Sequence, residues 1–225
     1  MYHSVGEPGP TFGVGRAPFL QHLEWIRSHK TVSGLLELVE QARSKPVADD
    51  AVAVTFDDGY LDNYECAIPA CVERGIPATI FIAWDALGSP AFRGGLPMMS
   101  RDHVRELAAL PGITIGSHTL SHPKLSRLDP EVQRRELCDS KAVLEDWLGK
   151  PVETFCYPFG DYAPGTVELV RACGYRLAVT TRVGAFRVDR PFEIPRIPVS
   201  RFSESILEAT LTQGYLLYAK AAGRC

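Results

Sequence analysis

Apolar residues along the chain fall into two alternating patterns, short continuous runs and longer stretches at helical spacing. Phe19, Leu23 and Ile26 share one face, which predicts a helix over 19–27, and 35–42 continues in the same way. Residues 51–56 form a continuous, β-branched apolar run ending in Asp57-Asp58-Gly59. Such a run reads as a buried strand, because a strand covered on both faces loses its in-out alternation. Residues 64–74 predict a helix stopped by Gly75, with Pro77 beyond it, and 78–84 a second buried strand. Ser100 is placed to cap a helix reaching Leu110, and 113–116 predicts a third strand. Pro130 at the first helical position and Gly149 past the end bracket a long helix to Leu148. A strand over 152–157, a helix over 165–173 and a strand over 176–180 follow. Residues 193–199 read as a short extended piece broken by prolines, and Ser203 opens a final helix towards Ala222.

Strands alternating with helices over the whole length imply parallel βαβ units, hence an α/β fold. Six to eight strands suit a barrel or an open sheet, and the pattern leaves both open. No repeat and no long Pro/Gly/Ser linker divides the chain, so residues 1–225 read as one domain. Composition agrees: 45% of the 225 residues are hydrophobic and 23% charged, enough for one sizeable core and too apolar for a disordered chain. With 24 basic and 27 acidic residues the net charge is −3, which offers no electrostatic footprint for nucleic acid or an anionic membrane.

The run 76–84 is far short of the roughly 18 to 20 apolar residues of a membrane span. Met1-Tyr2-His3-Ser4-Val5-Gly6 has no cationic start and no long apolar stretch, so it does not read as a secretory signal. A cytoplasmic location is the expectation. Six cysteines are too few for a disulfide scaffold, and none forms a Cys-x-x-Cys pair. Cys66 and Cys71 read as buried small hydrophobes, and a chain without disulfides, in a reducing compartment, is expected.

In parallel α/β proteins, chemistry gathers at the C-terminal ends of strands. Three such ends here carry suitable residues. At Asp57-Asp58-Gly59, side-chain alternation would send adjacent carboxylates to opposite faces, so the strand must be ending for both to enter one site. Two carboxylates pressed together repel, and a cation resolves the conflict. A turn or helix-capping pair is the other reading. At the second end, His118 and His122 lie four apart, which places both imidazoles on one side of a turn that Pro123 keeps from extending. Two histidines and a carboxylate make a three-ligand site with an open position, as in catalytic zinc centres. The third end, Phe155-Cys156-Tyr157-Pro158-Phe159-Gly160-Asp161-Tyr162, is an aromatic turn. It reads either as packing or as a source of a backbone N–H and a flat face for a sugar.

Together these segments resemble the NodB-homology polysaccharide deacetylases, most specifically in Thr55-Phe56-Asp57-Asp58-Gly59 and His118-Thr119-Leu120-Ser121-His122. The resemblance runs from Thr55 to about Val199, and the motifs keep their order and approximate spacing. It implies a distorted (β/α) barrel of about seven parallel strands. It also implies that Asp57 is the general base, that Asp58, His118 and His122 bind a divalent metal, and that the Phe159 N–H helps hold an oxyanion. Two departures stand out. Where many relatives have an arginine that braces the catalytic Asp, Cys156 stands here. Arg196 is the replacement candidate, with a surface salt bridge as the other reading. The usual late Leu-x-His, source of the general acid, is missing. His22, His29 and His103 lie on or beside helices and read as solvated. His3, in a Tyr-His start similar to that of the branch acting on exopolysaccharides such as poly-β-1,6-N-acetylglucosamine, is the candidate acid.

The resemblance thus implies removal of N-acetyl groups from an amino-sugar glycan, with zinc as the expected ion and Tyr60, Tyr157 and Tyr162 as candidate sugar contacts. An O-acetyl esterase and a catalytically weak carbohydrate-binding homologue are the alternatives. A phosphatase with a strand-end Asp motif would want Asp-x-Asp and would leave the paired histidines unexplained.

Overall fold

The computed structural model describes residues 1–6, 12–45, 48, 50–184 and 186–200; the helix expected from Ser203 lies outside them. Five parallel strands form one curled sheet in sequential order: β3 (Val54–Phe56), β4 (Ala78–Ile82), β5 (Ile113–Ser117), β6 (Thr154–Cys156) and β7 (Leu177–Val179). Their registers run through Phe56, Ile80, Ile115 and, further round, Ser117, Phe155 and Ala178. All five residues of β4 are buried, which is why its sequence is apolar without alternation. Gly116 is required in β5. A Cβ there would lie 2.5 Å from the Phe81 ring and from Thr154 Oγ1.

Two extended segments continue this half-barrel at its edges. Tyr2 pairs in parallel with Phe56, its N–H donating to Thr55 O at 2.8 Å and its carbonyl accepting from Asp57 N at 2.9 Å. Ile194 pairs in parallel with Val179. The two segments meet each other, Met1 N donating to Ile197 O at 3.0 Å and Val199 N to Met1 O at 2.9 Å. Closure therefore uses five regular strands and two short staves, in keeping with a distorted barrel.

Helices α1 (Arg16–His29), α2 (Leu35–Ser44), α3 (Ile68–Glu73), α4 (Arg101–Ala108), α5 (Pro130–Leu148) and α6 (Pro164–Ala172) surround the sheet. The run expected as one strand over 51–56 is split. Ala51–Val52 (β2) pairs with Thr31–Val32 (β1) in a separate two-stranded ladder, and only 54–56 joins the main sheet. The helix expected over 64–74 opens with a π-turn at Asn63–Ala67. That wider turn precedes Pro69, which has no N–H for an ordinary helical bond. Ser100 caps α4 in a reciprocal box with His103.

Two expectations need correction. Cys138 on α5 and Cys173 just after α6 form a disulfide, with Cα atoms 5.1 Å apart, so the chain is not free of disulfides and the argument for a reducing compartment falls. The pair is 35 residues apart in sequence and became neighbours only through helix packing. His22 is buried, not solvated, and its Nδ1 lies 3.3 Å from the Tyr2 hydroxyl. Cys71 is buried as expected, whereas Cys66 is only half-buried. No helix among the described residues is long and apolar enough to cross a membrane.

Candidate active site and metal centre

The site is assembled at the C-terminal ends of β3, β5 and β6, with Arg196 and His3 supplied by the two closing staves. Four non-glycine residues among those described have positive φ: Asp58 (75°), Thr119 (69°), His122 (60°) and Phe159 (61°). All four belong to the site. Such conformations cost on the order of 1 to 3 kcal/mol each and persist only where the surroundings over-determine them. At Asp58 the gain is direct. Leaving the strand at that residue, with Gly59 at φ 96°, breaks the alternation and lets both carboxylates serve one site.

Asp58 Oδ1 lies 3.3 Å from His118 Nε2 and 3.2 Å from His122 Nε2, and all three side chains are buried. Asp58 Oδ1 has no hydrogen-bond partner. His118 Nδ1 is 2.7 Å from the Cys156 carbonyl, which can only accept; Nδ1 therefore carries a proton, and Nε2 is the ring atom turned to Asp58. An orphaned carboxylate oxygen facing two imidazole nitrogens fits a divalent cation, the three ligand atoms lying within 4.8 Å of one another. Burial works against the Asp58 charge, but the adjacent His118 and His122 rings outweigh it and hold the carboxyl well below its usual range. Burial lowers His122, with Asp58 opposing.

Asp57, His118 and Cys156 form a second convergent trio. It is the poorer ligand set, because Arg196 occupies both Asp57 oxygens and burial raises the Cys156 thiol, keeping it protonated. Thr119 Oγ1 accepts from His122 N at 3.0 Å, closing the turn between the histidines. From α5, Glu136 grips the same turn, accepting from Leu120 N (2.9 Å), Ser121 N (3.0 Å) and Ser121 Oγ (2.6 Å).

Arg196 is buried against Asp57. Its Nη1 donates to Oδ1 at 2.7 Å and its Nη2 to Oδ2 at 2.6 Å, while Nε donates to Thr180 O at 2.9 Å. This geometry excludes a surface salt bridge. Burial pushes the Asp57 carboxyl up, but the Arg196 charge and hydrogen bonds overcome it and hold it at about 2. Cys156 fills the space beside this pair, its Sγ 3.5 Å from Asp57 Oδ2 and 3.1 Å from Arg196 Nη2. His3 Nε2 stands 4.0 Å from Asp57 Oδ2, with its side chain 21% exposed. Burial lowers its pKa, with Asp57 and Asp58 pulling it back up.

The aromatic candidates divide. Tyr60 and Tyr157 are wholly buried, and their hydroxyls donate to the carbonyls of Arg93 (3.2 Å) and Phe192 (3.0 Å). Neither presents a face to a ligand, contrary to the expectation from sequence. Tyr162 is half-buried, stacked on Tyr157 and hydrogen-bonded to Glu193 at 3.0 Å. Phe159 stands at the site itself, its ring 4.8 Å from that of His122. Sequence reasoning missed Phe92, whose ring meets His122 edge-on at 5.8 Å, together with Arg93 and Glu136. No local motif marks them, since each reaches the site from an element distant in sequence.

Comparison with known proteins agrees with this architecture. The profile of the polysaccharide deacetylase family matches residues 44–178. YxkH of Bacillus subtilis (strain 168), assigned as a polysaccharide deacetylase, is 30% identical over 203 residues, covering 89% of this chain and 70% of that protein. The poly-beta-1,6-N-acetyl-D-glucosamine N-deacetylase of Staphylococcus epidermidis is 24% identical over 84% of this chain and 68% of its own length. The structure of IcaB from Ammonifex degensii superposes with a TM-score of 0.81 at 26% identity, covering 93% of this chain and 94% of that one. With the family profile spanning more than half of its residues, the chain belongs to the polysaccharide deacetylase family.

Proposed function

We propose that the protein is a metal-dependent N-deacetylase that removes acetyl groups from an N-acetylated amino-sugar glycan and releases acetate. The observation that carries this reading is the placement of an ionised, arginine-braced Asp57 beside the Asp58, His118 and His122 trio. A divalent ion held by that trio would supply Lewis acidity and acidify a water, and a ligand set of two histidines and one carboxylate favours zinc. The similarity to an N-deacetylase of a β-1,6-linked amino-sugar polymer supports the amide as the bond cleaved.

The residues divide the work. Asp57, kept ionised by Arg196, accepts the proton of the attacking water. The N–H of Phe159 faces the developing oxyanion, a kind of contact worth roughly 3 to 4 kcal/mol elsewhere. His3, close to Asp57 and partly exposed, donates a proton to the departing nitrogen, which is too basic to leave as an anion. Of the three candidate tyrosines, Tyr162 is the one that keeps exposed surface for a sugar. The test is acetate release from β-linked N-acetylglucosamine oligomers by zinc-loaded protein, alongside metal analysis. Acetate produced only with metal bound supports the reading. A protein that binds no divalent metal, or that binds it without releasing acetate from any acetylated glycan, overturns it.

A further inference from the structure

Beside the metal ligands the molecule presents an exposed ring flanked by cations. Phe159 is 41% exposed. The Arg93 guanidinium lies 4.2 Å from the centre of its ring, and the Lys124 ammonium 5.4 Å. A third cation, Arg182, lies 4.8 Å from the Tyr162 ring. Its neighbour Thr181 bonds to the Phe159 carbonyl at 3.3 Å. Among the described residues none of these three cations forms an ion pair with an acid. The nearby acids are engaged elsewhere. Asp161 accepts from Ser126 N and Oγ at 2.7 and 2.9 Å, and Glu193 accepts from the Tyr162 hydroxyl.

Arg93 is also anchored to the catalytic machinery. Its carbonyl accepts the hydroxyl of fully buried Tyr60, two residues after Asp58, and the neighbouring Phe92 ring abuts His122. A cation over an exposed ring gains only about 0.5 to 1 kcal/mol, so the contact positions the charge without neutralising it. The result is uncompensated positive charge within reach of an oligosaccharide bound at the metal.

We propose that Arg93 and Lys124 form an anion subsite, and that the preferred substrate carries a carboxylate or phosphate on a sugar beside the reacting N-acetyl sugar. This inference rests on the deacetylase reading and names its substrate class. The experiment measures acetate release from three oligosaccharides of equal length. One is a neutral β-linked N-acetylglucosamine oligomer, one alternates N-acetylglucosamine with glucuronate, and one is an N-acetylglucosamine oligomer bearing a 6-phosphate. Each is tested with the unaltered protein and with Arg93→Gln, Lys124→Gln and the double variant. The expected result is a kcat/KM about tenfold or more higher on an acidic substrate, carried by KM, as one charge-assisted contact would supply. The double variant then loses about tenfold more on that substrate than on the neutral one, and added salt raises its KM. The better of the two acidic arms identifies the anion. Acetate from the neutral oligomer with no preference for either acidic one overturns the subsite and leaves the deacetylase reading standing. Equal losses on all substrates also overturn it, because the cations then only brace Phe159. No acetate from any of the three overturns both.

Discussion

Arg196 and Asp57 stand 139 residues apart in sequence and meet in a two-point ion pair at 2.7 and 2.6 Å. The contact exists because the stave carrying Arg196 lies beside β7 on one side and meets the Met1–Tyr2 stave on the other, next to the end of β3. A planar guanidinium matches a carboxylate at both oxygens, which a lysine ammonium cannot do.

Arg196→Met should therefore leave a buried, unpaired carboxylate and cost about 3 to 5 kcal/mol in urea unfolding. Arg196→Lys should recover only part of this, and Asp57→Asn combined with Arg196→Met should cost less than the sum of the two single changes. The pH dependence follows from the depressed carboxyl. Its stabilisation is fully present above the ordinary value of 3.8 and is lost as pH falls towards about 2. Unfolding of metal-free protein between these values should be steeper in pH for the unaltered chain than for Asp57→Asn.

The proposed function gives the neighbours Asp57 and Asp58 different tasks. Alanine at Asp58, His118 or His122 should abolish stoichiometric metal in the purified protein, since each would supply one of three ligand atoms. Asp57→Asn should keep the metal and lose turnover. Metal loss in that variant would reverse the division of roles.

His3→Ala should slow amide substrates by about 10²- to 10³-fold and activated aryl acetates far less, because a good leaving group needs little protonation. Initial rates on an N-acetylated oligomer and on an aryl acetate make the comparison. Equal losses would reduce His3 to a packing residue against Phe12, whose ring lies 5.5 Å away.

Glu136→Ala removes three hydrogen bonds from the turn between His118 and His122, the proposed metal ligands. Metal affinity should fall by about 10- to 100-fold, the range for partners that orient ligands. Competition with a chelator reads this without reference to activity. Unchanged affinity would show that Thr119 and the strand ends suffice to hold the turn.

The bridge between Cys138 and Cys173 closes a loop of 35 residues, for which chain entropy gives about 3 to 4 kcal/mol. Replacing both by serine should lower unfolding stability in urea by up to that amount. Thiol counting before and after reduction checks the bridge itself.

Much of the site was legible along the chain because its parts are local. A buried parallel strand announces itself as an unbroken apolar run, and the polar residues that end it must face the open end of the sheet. Asp57, Asp58, His118 and His122 are placed at one end of the sheet by this rule alone. His3 and Arg196 came instead from the resemblance to the deacetylases, Arg196 suspended between a brace for Asp57 and a surface salt bridge.

Only tertiary structure decided what depends on which distant segments become neighbours. Ring closure put Arg196 against Asp57 and His3 at its edge. Helix packing joined Cys138 to Cys173 and buried His22, and the carbonyls of Arg93 and Phe192 took up the Tyr60 and Tyr157 hydroxyls. The split of the 51–56 run between two ladders belongs here too, because an apolar run does not specify its partner. Side-chain periodicity acts over a few residues and is written in the sequence. Adjacency across the barrel arises from closing a curled sheet on itself, which no stretch of the chain records alone.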